Sequence, residues 1–193
     1  MSHRRRALLV ALLFLLFAGC GRQHQLSDLP HLMQQSLLDV ETYQISFSLQ
    51  QGGKPLAGVT QWYRAPGLLR TDVSVADQLH CRFFQSSGRL QVHNLALDQW
   101  GVVTWSPESR LFTQPLLQSF WQTADQATWT VGQNEGCWVG EFEWDGYPAW
   151  LTLNKSDLHP LQLEIQLPGA QVLLLTFESV VINPPLDDAF FQP

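Results

Sequence analysis

The sequence predicts an α+β domain in which short antiparallel strands, arranged as a sandwich or barrel, dominate and two helices are set among them. Three observations predict it. The hydrophobic period changes near residue 41, from helical spacing to strict alternation. Strand-like segments then recur at near-regular intervals with turn residues between them. Eight Trp and eleven Phe are many for a chain of 193 residues. Each aromatic buries roughly 150–250 Å², so the core is aromatic-rich, or some rings line a cavity or a surface patch.

The chain opens on Arg4, Arg5 and Arg6, an apolar run from Ala7 to Phe17, and Ala18-Gly19-Cys20-Gly21. A basic start, a short apolar stretch and small residues at the cut site describe an export signal over residues 1–19. An apolar run of roughly 7–15 residues is too short to cross a hydrocarbon layer of ~30 Å. Phe17-Ala18-Gly19-Cys20 resembles the bacterial lipobox, with Phe17 where Leu is usual. In such signals the cysteine thiol is acylated, so Cys20 is the expected lipidation site and new N-terminus. Residues 20–26 then form a lipid-anchored tether, and 27–193 the folded domain. An ordinary secretory signal and an uncleaved anchor helix are the alternatives.

Ser27 or Asp28 caps a first helix whose apolar positions Leu29, Leu32, Met33, Leu37, Leu38 and Val40 share one face. Tyr43, Ile45, Phe47 and Leu49 then alternate with Gln44, Ser46, Ser48 and Gln50, a half-buried strand. Gly52-Gly53-Lys54-Pro55 turns the chain into a strand over Val59–Arg64, and Ala65-Pro66-Gly67 into another over Leu68–Val75. Arg82–Gln85 and Arg89–His93 pair as a hairpin through Ser86-Ser87-Gly88. The middle is less regular and offers a second helix over Gln114–Thr123, with Pro115 acceptable in its first turn. From Trp129 strands return at Cys137–Glu143, Ala149–Leu153, Leu161–Leu167 and Val172–Phe177. The first alternates Trp138, Gly140, Phe142 and Trp144 with Val139, Glu141, Glu143 and Asp145, which puts one face in water. Val172–Phe177 lacks alternation and is expected to be buried on both sides.

Removing residues 1–19 takes three of the 11 basic residues and none of the 17 acidic ones, leaving 8 against 17, about −9. Such a balance argues against a nucleic-acid partner, whose phosphates demand basic patches. It also argues against adhesion to anionic lipid through surface charge. Beyond Cys20 the cysteines are Cys81 and Cys137, both in strand-like segments. In an oxidising compartment an even remainder favours a disulfide between them, with two free thiols or an intermolecular bond as alternatives.

Catalytic machinery is not legible. Glu141, Glu143 and Asp145 lie on the solvated face, and Asp187-Asp188 is placed to cap Ala189-Phe190-Phe191. His80, His93 and His159 have no metal-ligand spacing, and no nucleophile elbow or phosphate loop is present. No catalytic residue, metal or cofactor is assigned.

The order helix, strand, Gly-rich turn, then Gly58-Val59-Thr60-Gln61-Trp62-Tyr63-Arg64-Ala65-Pro66-Gly67-Leu68-Leu69-Arg70 resembles the LolA-type lipoprotein carriers. The resemblance continues through Ser86-Ser87-Gly88-Arg89 and Ser156-Asp157-Leu158-His159-Pro160-Leu161 to the ending Phe177 to Phe191. It runs from about Leu26 to Phe191 and rests on order and spacing, not on one motif. It implies an open (unclosed) antiparallel β-barrel with helices covering the opening and an apolar cavity between, so that Phe47, Trp62, Phe83, Phe120 and Trp121 are candidate lining residues. Trp105 and Trp150 are further aromatics to place.

Two departures matter. The family's arginine directly before the turn proline, which helps hold the helical lid, is Ala65 here. Arg64, one residue away, points to the opposite face and is not expected to inherit its role. A lipid-anchored chain also cannot shuttle as LolA does. LolB-like receptors and germination lipoproteins of the GerS type are the anchored variants of this resemblance. It therefore implies a non-catalytic envelope protein, at the outer face of the cell membrane or at an outer membrane, that accommodates an acyl chain or lipoprotein between sheet and lid. The alternatives are a surface-acting scaffold for an envelope or germination protein partner and, third, an envelope hydrolase.

Overall fold

A computed structural model describes residues 25–86, 88–101 and 107–193. The expected export signal, Cys20 and Trp105 lie outside the described residues. Eleven strands form one antiparallel sheet: β1 (Thr42–Gln51), β2 (Lys54–Arg64), β3 (Leu68–Val75), β4 (Gln78–Ser86), β5 (Arg89–Asn94), β6 (Gln99–Gly101), β7 (Thr128–Val131), β8 (Cys137–Trp144), β9 (Tyr147–Asn154), β10 (Pro160–Leu167) and β11 (Gln171–Ile182). Their order is β6-β5-β4-β3-β2-β1-β11-β10-β9-β8-β7. Every neighbour is next in sequence except β1 and β11, which join the two halves at the centre. Among the described residues β6 and β7 are the unpaired edges, so the sheet is an unclosed barrel. Those edges span three and four residues, and shortness blunts edge-to-edge pairing.

Alternation decides which face is buried. Tyr43, Ile45, Phe47 and Leu49 are buried on β1; Trp138, Phe142 and Trp144 on β8; Ala149, Leu151 and Leu153 on β9; Leu163, Ile165 and Leu167 on β10. These residues line the concave side. Register shifts at Ser46/Phe47, Leu49/Gln50 and Val73/Ser74 act as bulges and add the bend that curls the sheet. The fold is α+β.

Among the described residues three helices cover the concave face: α1 (Leu29–Leu38), α2 (Pro107–Thr113) and α3 (Leu116–Gln122). A single 3-10 turn, Leu26–Asp28, leads into α1. Leu29 and Met33 are fully buried, whereas Leu38 is 85% exposed, so the apolar face expected of this helix stops short of Leu38. The second helix was expected over Gln114–Thr123; α3 occupies Leu116–Gln122 and the unforeseen α2 precedes it.

Strand β11 corrects another expectation. Leu173 and Leu175 are buried, but Val172 and Leu174 are only half-buried and Thr176 is exposed. Helices cover one side only, so a central strand of an antiparallel sheet still has a wet face despite its apolar sequence.

Beyond β11 the chain runs over the convex side of β2–β4 as a strap ending in a 3-10 turn, Asp188–Phe191. Asp187 caps it by accepting from Ala189 N at 3.0 Å. Arg64 donates to the Leu186 carbonyl at 2.7 Å and pairs with Asp188 at 2.8 Å. Phe190 packs on Trp62 with centroids 5.2 Å apart, and the Arg70 guanidinium stands 4.3 Å from the Phe190 ring.

Candidate functional site

The site is the concave face and its lid, α2 and α3 with the bend between them. Breaking a helix at Gln114-Pro115 leaves backbone groups without helical partners. Gln61 supplies them from β2. Its Oε1 accepts from Leu116 N at 3.0 Å and from the Tyr43 hydroxyl at 2.7 Å; its Nε2 donates to the Gln114 carbonyl at 3.0 Å and to Thr71 Oγ1 at 3.3 Å. Gln61 and Thr71 are fully buried. One carboxamide carries both donor and acceptor, so it joins three strands to the lid. Burial pushes the Tyr43 phenol well above its usual pKa of 10.0, which keeps the hydroxyl a donor at neutral pH.

Around this hub the contact is apolar. Phe112 of α2 stacks on Phe83 of β4 at 5.6 Å. Phe120 of α3 meets Trp144 and Phe177, each at 5.8 Å, and Phe177 meets Phe47 at 5.5 Å. Leu111, Leu116 and Leu117 of the lid itself are fully buried. At the periphery Arg110 pairs with Asp145 in the β8–β9 turn, and Gln34 of α1 bonds Asp125 after α3. Among the described residues the buried polar side chains are Thr42, Gln61, Thr71, Ser109 and Thr113, none of them charged. The indole N–H groups of Trp121, Trp138 and Trp144 are buried without a hydrogen-bond partner among the described residues. The interior that the described residues form is lined by uncharged and mainly apolar side chains.

Phe47, Phe83, Phe120 and Trp121 are buried in one apolar cluster. Trp62 is corrected: it lies across from Arg70 in the register and stacks beneath the strap on the convex face. Its neighbours Gln61 and Tyr63 point inward, and a period of two sends Trp62 the other way. Trp150 is half-buried on the same outer side. The disulfide is corrected too. Cys81 and Cys137 are both free, on β4 and β8 with six strands between them.

Glu141 and Glu143 are exposed. His93 stacks on Trp100 at 4.4 Å and bonds Asp98 at 3.0 Å, and His159 lies 3.6 Å from Asp157. No group of three metal-ligating side chains occurs among the described residues. Gln61 and α2 are what sequence reasoning missed. Gln61 had a signal: it is the lone polar residue at an inward position between Val59 and Tyr63.

The chain matches no protein-family model and no curated relative by sequence. Among solved structures it is similar to a DUF1329 family protein from Desulfovibrio piger, at 12% identity and TM-score 0.49 over 86% of this chain and 95% of that one. It is similar to a LolA superfamily protein from Nitrosomonas europaea, at 10% identity and TM-score 0.44 over 86% and 98%. It is also similar to a chain of the Pseudomonas aeruginosa MucA/MucB complex, at 14% identity and TM-score 0.45, spanning 83% of this chain and 60% of the other.

Proposed function

We propose that this protein is a non-catalytic binding protein of the cell envelope, exported by residues 1–19 and held to a membrane through acylated Cys20, that takes an acyl chain of a lipid or lipoprotein between its sheet and helical lid. The observation that carries this reading is the lid itself: an apolar cover on an apolar concave face, pinned near its middle by the single carboxamide of Gln61. The residue-level resemblance to LolA-type carriers supports it, and no described helix is long and apolar enough to cross a membrane.

The energetics favour exchange. Each net hydrogen bond is worth about 0.5–1.5 kcal/mol, so releasing the two between Gln61 and the lid costs about 1–3 kcal/mol. An acyl chain burying roughly ten methylenes gains about 8 kcal/mol before ordering costs. A guest therefore offsets the polar latch, and its methylenes replace the apolar contacts that Leu111, Leu116, Leu117 and Phe120 make in the closed lid.

Native mass spectrometry of the full chain purified from a bacterial envelope tests the reading. One acyl lipid or lipopeptide per chain is the expected result. Its absence, with a stoichiometric protein partner instead, turns the assignment to a surface-acting scaffold. A specific feature favours that second reading: Trp100 and Leu97 are 50% and 64% exposed beside the free β6 edge, an apolar surface of the kind that docks proteins.

A further inference from the structure

A buried indole in this core takes a backbone acceptor where one is within reach: Trp129 donates to the Ala124 carbonyl at 3.0 Å. The N–H groups of Trp121, Trp138 and Trp144 have no such partner among the described residues. A buried donor left unmatched is costly, and native interiors leave few of them.

Two of the three lie where the lid meets the aromatic floor. Trp121 belongs to α3, next to Phe120, and Phe120 packs on Trp144 of β8 at 5.8 Å. These indoles are 3% and 5% exposed, so both donors are held inside the core. Trp138 stands apart, six residues back along β8 and roughly 20 Å from Trp144, with the Lys155 ammonium 4.3 Å from its ring. The rings nearby are poor substitutes for an oxygen. Phe142 meets Trp144 edge-on with centroids 6.4 Å apart, and an N–H aimed at a ring is a weak bond. The missing acceptor must be neutral. Among the described residues no buried side chain is charged, so an ionised carboxylate would enter without a counter-charge.

We infer that Trp121 and Trp144 form the polar end of the acyl site and donate to the carbonyl oxygen of the guest's ester or amide linkage. A carbonyl oxygen has two lone pairs and so accepts from two N–H groups. An ether oxygen is a weaker acceptor, and a hydrocarbon offers none. From Trp144 a relay of rings, Phe120, Phe177 and Phe47, spaced at 5.8, 5.8 and 5.5 Å, crosses to β1. It gives the chain beyond the carbonyl an apolar path. The site thereby selects O-acyl and N-acyl chains over alkyl ethers and ionised fatty acids. This inference rests on the lid reading above and adds the linkage that the guest must carry.

The test uses the full chain in nanodiscs of ether-linked phospholipid, so that the bilayer brings no ester carbonyl. It is titrated with monodecanoylglycerol and with the matching decyl glycerol ether while the indole N–H resonances are followed. The ester is expected to bind about fivefold tighter, the weight of one net hydrogen bond. It should move the Trp121 and Trp144 resonances downfield and leave that of Trp129 in place. Trp121→Phe/Trp144→Phe keeps an aromatic ring at each position, removes both donors, and is expected to bind the two probes equally. Equal binding of both probes by the parent chain, indole resonances that stay put with the ester, or a preference that survives in the double variant overturns the inference and leaves the lid reading standing. Binding of neither probe overturns both. The parent resonances decide alone should the double variant fail to fold.

Discussion

The two halves of the sheet meet at β1 and β11 and share one inward pattern, yet their outer faces differ. On β2–β5 the outward positions hold Arg64, Arg70, Arg82 and Arg89, half of the eight Lys and Arg residues beyond position 19, together with Trp62 and Phe84. On β8–β10 they hold Glu141, Glu143 and Glu164. On the basic half Asp72 of β3 accepts from Arg70 and Arg82 at 3.0 and 3.2 Å, and the strap lies over them, its Phe190 carbonyl accepting from Arg70 at 3.3 Å. On the acidic half Glu141 and Glu143 are exposed. Inside, the basic half contributes the polar hub at Gln61, and the acidic half contributes an aromatic floor. The lid thus has a buried polar fastening on one half and an aromatic floor on the other, with the Arg110–Asp145 pair at its rim.

The strongest way to break this comparison is Gln61→Leu. It strands the Gln114 carbonyl, Leu116 N–H and Tyr43 hydroxyl, each orphan worth about 1–3 kcal/mol. We expect at least 3 kcal/mol of destabilisation and faster amide exchange confined to residues 107–122. Equal exchange across the sheet would show that the hub holds the barrel and not the lid. Phe191→Ala removes the strap's own buried side chain, 1% exposed, and should cost about 3 kcal/mol in urea unfolding. An unchanged midpoint would make the strap an ornament.

On the other half, Gly140 faces Trp129, and a Cβ there would lie 2.7 Å from the ring. Trp129 is anchored by its indole bond to the Ala124 carbonyl at 3.0 Å, so it cannot easily give way. Gly140→Ala should cost about 1–3 kcal/mol, read as a fall in melting temperature. Alkaline pH sharpens the same contrast. Because the folded pKa of Tyr43 is raised, its contribution is complete below the unfolded value near 10 and is lost as pH rises through the folded value. Alkaline titration of lid exchange should show loosening above pH 10, and Tyr43→Phe should abolish that dependence. The smallest effect belongs to the partly exposed Arg110–Asp145 pair. Asp145→Asn should change stability by about 0.2–1 kcal/mol and reduce its salt dependence.

Much of this was readable beforehand, for local reasons. Alternation in Tyr43–Gln50 and Trp138–Asp145 gave the inward set because a strand has a period of two. Asp187 was legible as a cap because a short acceptor preceding a turn meets a free N–H. Trp62 was misplaced because its aromatic character was weighed above its register, although Val59, Gln61 and Tyr63 already claimed the inner face. The helix α2 was missed because Pro107–Thr113 is short and amphipathic only against Phe83, a partner 29 positions away from Phe112 in sequence.

By itself the sequence determined the strand-rich class, the inward faces, the net acidity and the expected export signal, since each depends on period, composition or adjacent residues. Only the tertiary structure decided that Cys81 and Cys137 stand six strands apart, that the cations collect beneath the strap, and that one glutamine fastens the lid. Those facts depend on which strands become neighbours and how far the sheet curls. That is settled by long-range pairing between β1 and β11, and no local pattern encodes it.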